Sequence, residues 1–450
     1  MKKTITLLAA ALLLAGSVAA QDQIKYQRSS LHLVLLTTDE PLVSNDPELP
    51  TLVENSWKSY PFPDKYNNHA IDFTTANAGK PKGGLMATVS KFWDYNTHQS
   101  KLPSTLEELK ELKDALTGGK KYLNQLKENI DIQIEKNDVA RKLVAKWYNI
   151  KPDGSWDFNL LQERAAFNMS ASDVSVAAAT VGGAQEIINQ LADEMMNTTF
   201  VAFSKLDFYQ NEAVAGVGRD VTIAIARYSG NDLVINAAVL AAQKTYEMMK
   251  DGYSALANTL LYKLEWNDSI QAEFFACFKD DGKIDMAKFN NVKFRMEFLG
   301  SDACASSSGA GANFLGAKKD KAELVQKTII RNLDKQFVKL QKDYEVFRPV
   351  APIICLDPLM ADMGTKEGLS GGEKFEILTR TQDPKTGKMG YKSVGTVKVD
   401  KKGVWDNNYN LTDGSVVITP SPVQTPDGRN GTVLSKNKSA QYGMVVRQKK

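Results

Sequence analysis

The side chains that most often run chemistry are scarce in this chain of 450 residues. Histidine occurs only at His32, His69 and His98. No second histidine or carboxylate stands at ligand spacing from any of them, and a zinc site needs at least three convergent protein ligands, so no metal is expected. Phe278-Lys-Asp-Asp281-Gly282-Lys-Ile284-Asp285 imitates the centre of a calcium loop. With Gly282 at the sixth loop position, Cys277 falls first and Lys288 twelfth, and neither ligates a hard cation as the required Asp and Glu do. Gly216-Val-Gly218 and Gly309-Ala-Gly311 begin like dinucleotide loops but lack the third glycine and the later acid. Both read as flexible turns, and no cofactor is expected. The common serine-hydrolase signatures are missing, and a cysteine nucleophile needs one of the three histidines as its base. Neighbouring acids such as Glu107-Glu108 and Asp280-Asp281 read as solvated faces, because a glycosidase pair is defined by distance in space. No catalytic residue is assigned.

Binding chemistry has more material. Trp57, Tyr60 and Phe62, with Tyr66 beyond, are spaced around Pro61 and Pro63. Such an aromatic-proline arm can line a sugar or peptide groove, or it can pin a long segment to its own domain. Trp405 is a further candidate binding aromatic. The three cysteines, Cys277, Cys304 and Cys355, are too few for a disulfide-built scaffold. A Cys277–Cys304 bridge is the pairing to test, since both fall in one predicted domain; the alternative is three small buried hydrophobes.

The N-terminus bears on where any of this happens. Lys2 and Lys3 precede an apolar run from Ile5 to Ala15, and Val18-Ala19-Ala20 follows as a small-residue cleavage site, which is the layout of a secretory signal. The run is too short for a bilayer core that needs about 20 residues, so export followed by cleavage is expected, to the periplasm, cell surface or beyond, with no span left in the mature chain. Cleavage removes two lysines and leaves 54 basic against 53 acidic groups. A near-neutral chain has no footprint for a phosphate backbone, so nucleic acid is not an expected partner.

The elements predict an α+β multidomain chain. After the signal at 1–20, residues 21–100 read as an extended or β arm that includes the apolar run Leu31 to Thr37. Residues 101–155 read as a helical hairpin. It opens with a capping box at Ser104-Thr-Leu-Glu107 and carries stripes Leu106, Leu109, Leu112, Leu116 and then Leu123, Leu126, Ile130, Ile134, continuing to Trp147. Its apolar face either docks a partner helix or packs on its own core. Residues 156–355 read as an α/β layer domain with a mixed sheet. In it a helix spans Ala184 to Met196, strands span Thr199 to Tyr209 and Tyr253 to Trp266, Val221 to Met249 is helical with a break at Gly230, and a long helix spans Lys318 to Asp343. Val346 to Leu356 is expected as an extended edge, because Pro349 and Pro352 do not suit a central strand. From 356 to 450 short strands alternate with Asp-Gly and Asn-Gly turns, predicting a small all-β barrel of SH3-like size.

The segment of most specific character is Gly364-Thr-Lys-Glu-Gly368-Leu369-Ser-Gly371-Gly372-Glu-Lys-Phe375, ending with Val404-Trp405-Asp406-Asn407-Asn408. In outline it resembles the small barrels of bacterial envelope-assembly proteins, and with the signal and the mixed region the chain resembles an uncharacterised exported family of Bacteroidales-type bacteria. Asp268-Ser269-Ile270 likewise resembles the O-glycosylation acceptor of that group. The resemblance carries turn geometry and no catalytic residue. It implies a non-catalytic binding or assembly component that meets envelope protein or glycan. The alternative expectation is a hydrolase of an envelope or dietary polymer, to be marked by an aromatic cleft with two carboxylates.

Overall fold

A computed structural model describes residues 29–39, 47–63, 65–94, 96–97, 99–101, 104–116, 119–168, 183–309, 320–382, 389–412 and 415–449. The expected signal and His98 lie outside these residues. The described chain is α+β, with a mixed sheet between helices and a separate antiparallel sheet at the C-terminal end.

The stretch expected as an arm supplies a strand inside the first sheet. β1 (Ser30–Thr37) runs parallel to the short β2 (Asn67–Asn68) and β3 (Thr75–Asn77) on one side. A two-stranded ribbon, β4 (Trp93–Asp94) and β5 (Gln99–Ser100), stands apart. On its other side β1 is parallel to β6 (Thr199–Gln210), and β7 (Gly252–Leu264) and β8 (Met296–Gly309) follow antiparallel. LHLVLLT is apolar almost throughout because a strand covered on both faces needs no alternation. Leu31 and Leu35 face one helical layer, while Val34 and Leu36 face the other.

One face is covered by α1 (Leu49–Lys58) and the long C-terminal helix Lys321–Asp343, whose Val325, Ile329, Leu333, Phe337 and Leu340 stripe meets Phe200, Ala202 and Leu261. The opposite face takes α2 (Leu85–Phe92), α3 (Leu106–Leu116), α4 (Lys120–Lys136) and α5 (Val139–Trp147). The predicted two-helix hairpin is therefore three helices. The second stripe breaks at Asp138, which takes a left-handed conformation that Asp tolerates (φ 49°). Leu126, Ile130, Ile134 and Leu143 pack on Val201, Phe203 and Leu260, so this face is spent on the protein's own core. The capping box sits one residue later than expected: Glu108 N bonds Thr105 Oγ1 at 3.1 Å, and Glu108 Oε2 takes the amides of Ser104 and Thr105.

α6 (Asn159–Asn168) and α7 (Gly183–Asn197) lead into β6. Between β6 and β7 the chain makes α8 (Asn211–Arg227) and α9 (Asp232–Met249), joined by a turn in which Gly230 has φ 64°. Gly216 and Gly218 thus lie within a helix, not a turn. A Cβ on Gly216 would meet the Trp93 ring at 2.1 Å, so this glycine is what lets the helix pass the indole. α10 (Asp268–Phe275) and α11 (Met286–Asn291) then precede β8, and the Lys321–Asp343 helix is α12.

The last part is a six-stranded sheet ordered β12-β11-β16-β9-β10-β15. Its strands are β9 (Ala351–Leu356), β10 (Leu359–Ala361), β11 (Lys374–Gln382), β12 (Met389–Lys398), β15 (Thr432–Val433) and β16 (Val445–Gln448); β13 (Tyr409–Thr412) and β14 (Ser415–Ile418) form a separate ribbon. Among the described residues it is not a closed barrel. β15 is only two residues long, and it meets the chain just after β12 through an isolated Val399–Leu434 bridge and three backbone bonds, Ser435 N to Lys398 O, Asp400 N to Val433 O and Val433 N to Gly403 O, not through a ladder with β12. Nor is β9 an edge, since it lies between β16 and β10. Pro352 is tolerated there as the second residue of the strand, in a ladder of just two pairs with β16.

Candidate functional site

The residues singled out from sequence do not converge on one place. Trp57, Tyr60 and Phe62 pack against the core under α12, Trp57 stacks on Tyr60 (centroids 6.5 Å), and Tyr60 Oη donates to Asp334 Oδ1 at 3.2 Å. They hold α1 and its following loop to α12. Trp405 is buried in the C-terminal sheet and donates its indole N–H to Thr419 O at 2.7 Å. Cys277, Cys304 and Cys355 are free thiols. Cys277 packs beside Phe274 and Met296, whereas Cys304 lies eight residues up β8 from Met296, about 26 Å at strand rise. A disulfide spans less than about 7 Å between Cα atoms, so the fold does not bring these two together.

The glycine-rich segment and the Trp405–Asn408 stretch do meet. Thr365 N donates to Trp405 O at 2.9 Å, Lys366 N to Asn407 Oδ1 at 2.8 Å, and Asn407 Nδ2 to the buried Glu367 at 3.0 Å. A Cβ on Gly364 would lie 2.3 Å from Trp405 O, which explains that glycine. Lys65 Nζ reaches Asp362 O at 3.0 Å, and Arg380 grips Glu194 with two bonds of 2.9 Å, so this unit is bolted to the first sheet and its helices. The motif is a joint. Ser269 is exposed in the first turn of α10, whose N-cap is Asn267.

Two of the three histidines lie in one buried cluster. The Arg164 guanidinium sits 4.9 Å over the Trp147 ring and donates to Ser30 Oγ (3.1 Å), His69 Nδ1 (3.1 Å) and Asn68 O (3.0 Å). His69 Nε2 bonds Leu143 O at 3.1 Å, which makes Nε2 the protonated nitrogen and leaves Nδ1 as acceptor. Burial, and then the charge on Arg164, hold the His69 pKa well below its ordinary value. Burial likewise lowers that of His32, whose Nε2 bonds Phe73 O at 2.7 Å. A neutral histidine pinned by a carbonyl and a guanidinium is a staple between strand and helix rather than a proton carrier.

A second buried polar island lies on the same face of the sheet. Lys205 Nζ pairs with Asp207 Oδ1 at 2.5 Å along β6, and opposite them Asn258 is wholly buried. Lys205, Asp207 and Asn258 are all at most 7% exposed, so no polymer reaches them in this conformation. Among the described residues no group of three His, Cys, Asp or Glu side chains is placed to hold a metal ion.

The surface that stands out is the α8–α9 hairpin. Its root is fixed: Ala213 and Val217 pack on Val89, Phe92 and Trp93, Ser100 Oγ bonds Asp220, and Arg219 pairs with Asp220 at 2.6 Å while lying 4.4 Å over Tyr246. Beyond the root it projects. Tyr228 is 91% exposed, Leu233 81%, Leu240 73%, Met248 70% and Ile225 60%. Val221 to Ala226 and Leu233 to Gln243 contain no ionisable residue. Leu233, Ala237, Leu240, Lys244 and Met248 recur at helical spacing down the open side of α9, while Val234 and Val239 add apolar surface on its other sides. A helix apolar all round belongs inside a core. The sequence shows Val221 to Met249 as helical with a break at Gly230; the signal for a surface was the uncharged run on either side of that break. No described helix is long and apolar enough to span a membrane.

No protein-family model matches the chain, and no curated protein matches it.

Proposed function

We propose that this chain is a non-catalytic exported binding or assembly component of the bacterial cell envelope, and that the α8–α9 hairpin is its contact surface. The observation that carries this is the exposed run of α9 from Leu233 to Gln243, which holds no ionisable residue, on a hairpin held at its root. Contiguous apolar surface of this extent on a soluble domain marks an interaction site. The hydrolase alternative receives no comparable support, since the buried charges are engaged within the core. The C-terminal sheet serves in this reading as a platform bolted to the first sheet.

The test is site-specific photo-cross-linking in the native envelope. A photoreactive residue at Leu240 is expected to give one discrete protein adduct, and the same probe at Lys402, in the turn between Asp400 and Gly403, is expected to give none. Equal, diffuse labelling at both positions would overturn the reading.

A further inference from the structure

We infer that the partner of the hairpin is a second copy of this chain, with two hairpins packing antiparallel into a four-helix bundle. The inference rests on the reading of the hairpin as a contact surface and names its occupant. Two helices side by side bury only one face of each, and the stable arrangement for an apolar hairpin is another helical layer. The dimensions fit: α9 has 18 residues, about 27 Å at helical rise. α8 carries the exposed Gly218, which has no atom within 4 Å of where a Cβ would stand, and α9 the exposed Ala237 and Ala241. Small residues there allow helix axes to approach to about 8–10 Å. The exposed parts of Ile225, Tyr228, Leu233, Leu240 and Met248 amount to several hundred Å², a large share of the roughly 800 Å² per partner of a standard interface.

Charge selects both the occupant and the orientation. A stripe with no ionisable residue from Leu233 to Gln243 asks for an equally uncharged surface, and its own copy supplies one. Contact centred on Leu240 in antiparallel sense sets Asp232 of each copy level with Met248 of the other, beside the Glu247–Lys250 pair (2.7 Å), and sets Lys244 level with the uncharged Asn236. Parallel packing would instead set Lys244 against Lys244, and Lys244 has no carboxylate partner among the described residues. A lipid surface fits less well. The tip, Tyr228-Ser-Gly-Asn-Asp232, is polar and ends on an acid, and the exposed Arg227 and Lys244 are two isolated cations rather than the Lys- and Arg-rich polar face of a membrane-seeking helix.

Sedimentation of the full mature chain, from about 1 to about 100 µM, is expected to show a species of twice the chain mass. In Leu233→Glu/Leu240→Glu, dissociation is expected to become easier by at least about 100-fold with an unchanged circular dichroism spectrum. Should that variant not fold, Leu240→Cys in a Cys304→Ser background is expected to yield a covalent dimer with a short bis-maleimide. A wild-type monomer throughout the range would overturn the inference. So would a dimer that the Glu variant leaves intact, or sedimentation of the protein with anionic phospholipid vesicles that the variant abolishes. The two readings separate cleanly: an adduct at Leu240 of a mass other than twice the chain rejects self-pairing and keeps the contact surface.

Discussion

Replacing Trp147 by alanine is expected to lower the unfolding free energy by about 3–5 kcal/mol, the usual cost of emptying a buried tryptophan site. Trp147 is fully buried at the end of α5 and bridges the sheet to the cluster formed by α6, α7, α10 and α11. Its indole N–H donates to Thr199 Oγ1 at 3.0 Å, and its ring is the floor on which His69 (4.4 Å) and Arg164 lie. Trp147→Phe keeps most of the volume and is expected to lose about half as much. Urea denaturation followed by circular dichroism reads both. A loss below about 1 kcal/mol in Trp147→Ala would show that the cavity collapses at no cost and that the staple does not depend on it.

Acid is expected to destabilise the protein through His32 and His69. In the folded chain both are held neutral, with their proton affinities lowered chiefly by burial. In the unfolded chain they titrate near 6.5. As pH falls below that value the unfolded state takes up protons that the folded state refuses, so stability drops by up to about 1.4 kcal/mol per pH unit for each histidine. Above about pH 7.5 neither state is protonated and the effect vanishes. Arg164 and Lys146 oppose a new positive charge; the carbonyls of Phe73 and Leu143 and the exposed Asp72 favour one, but burial outweighs them. Unfolding midpoints measured from pH 7.5 to 5 should fall steadily, and His69→Gln should remove about half of the slope. A flat profile in the wild type would mean that these histidines are not buried neutral.

How much was legible in the sequence depends on what each residue had to satisfy. Period and composition placed β6, β7, the long helix α12 and most C-terminal strands, because local patterning and tertiary role agree in them. Long-range pairing was not written locally. Nothing in Leu31 to Thr37 names β6 as its neighbour, so a central strand read as part of an arm. The break at Asp138 left the apolar stripe intact, and periodicity alone joined α4 to α5. The glycine-rich motif was found by its composition, yet its purpose, clearance at Gly364 for the Trp405 carbonyl, appears only when distant segments meet. The exposure of the α8–α9 hairpin was not legible because an uncharged run looks the same whether it is buried, lipid-facing or open to solvent.

The position of β1 has a consequence for the order in which the molecule assembles. β6, β7 and β8 follow one another in the chain and can zip together as a meander, but Leu31 must find Phe200. Closing a loop of that length costs entropy that no local contact repays, and such non-local pairing is slow. β1 is therefore expected to dock last, and until it does β6 presents a bare, apolar edge to its surroundings. Pulsed hydrogen exchange during refolding would report this as amides of Leu33 to Leu36 protected after those of Leu256 to Leu261. The reverse order would make β1 part of the nucleus. A chain that folds in this way spends its most aggregation-prone interval waiting for its own first strand.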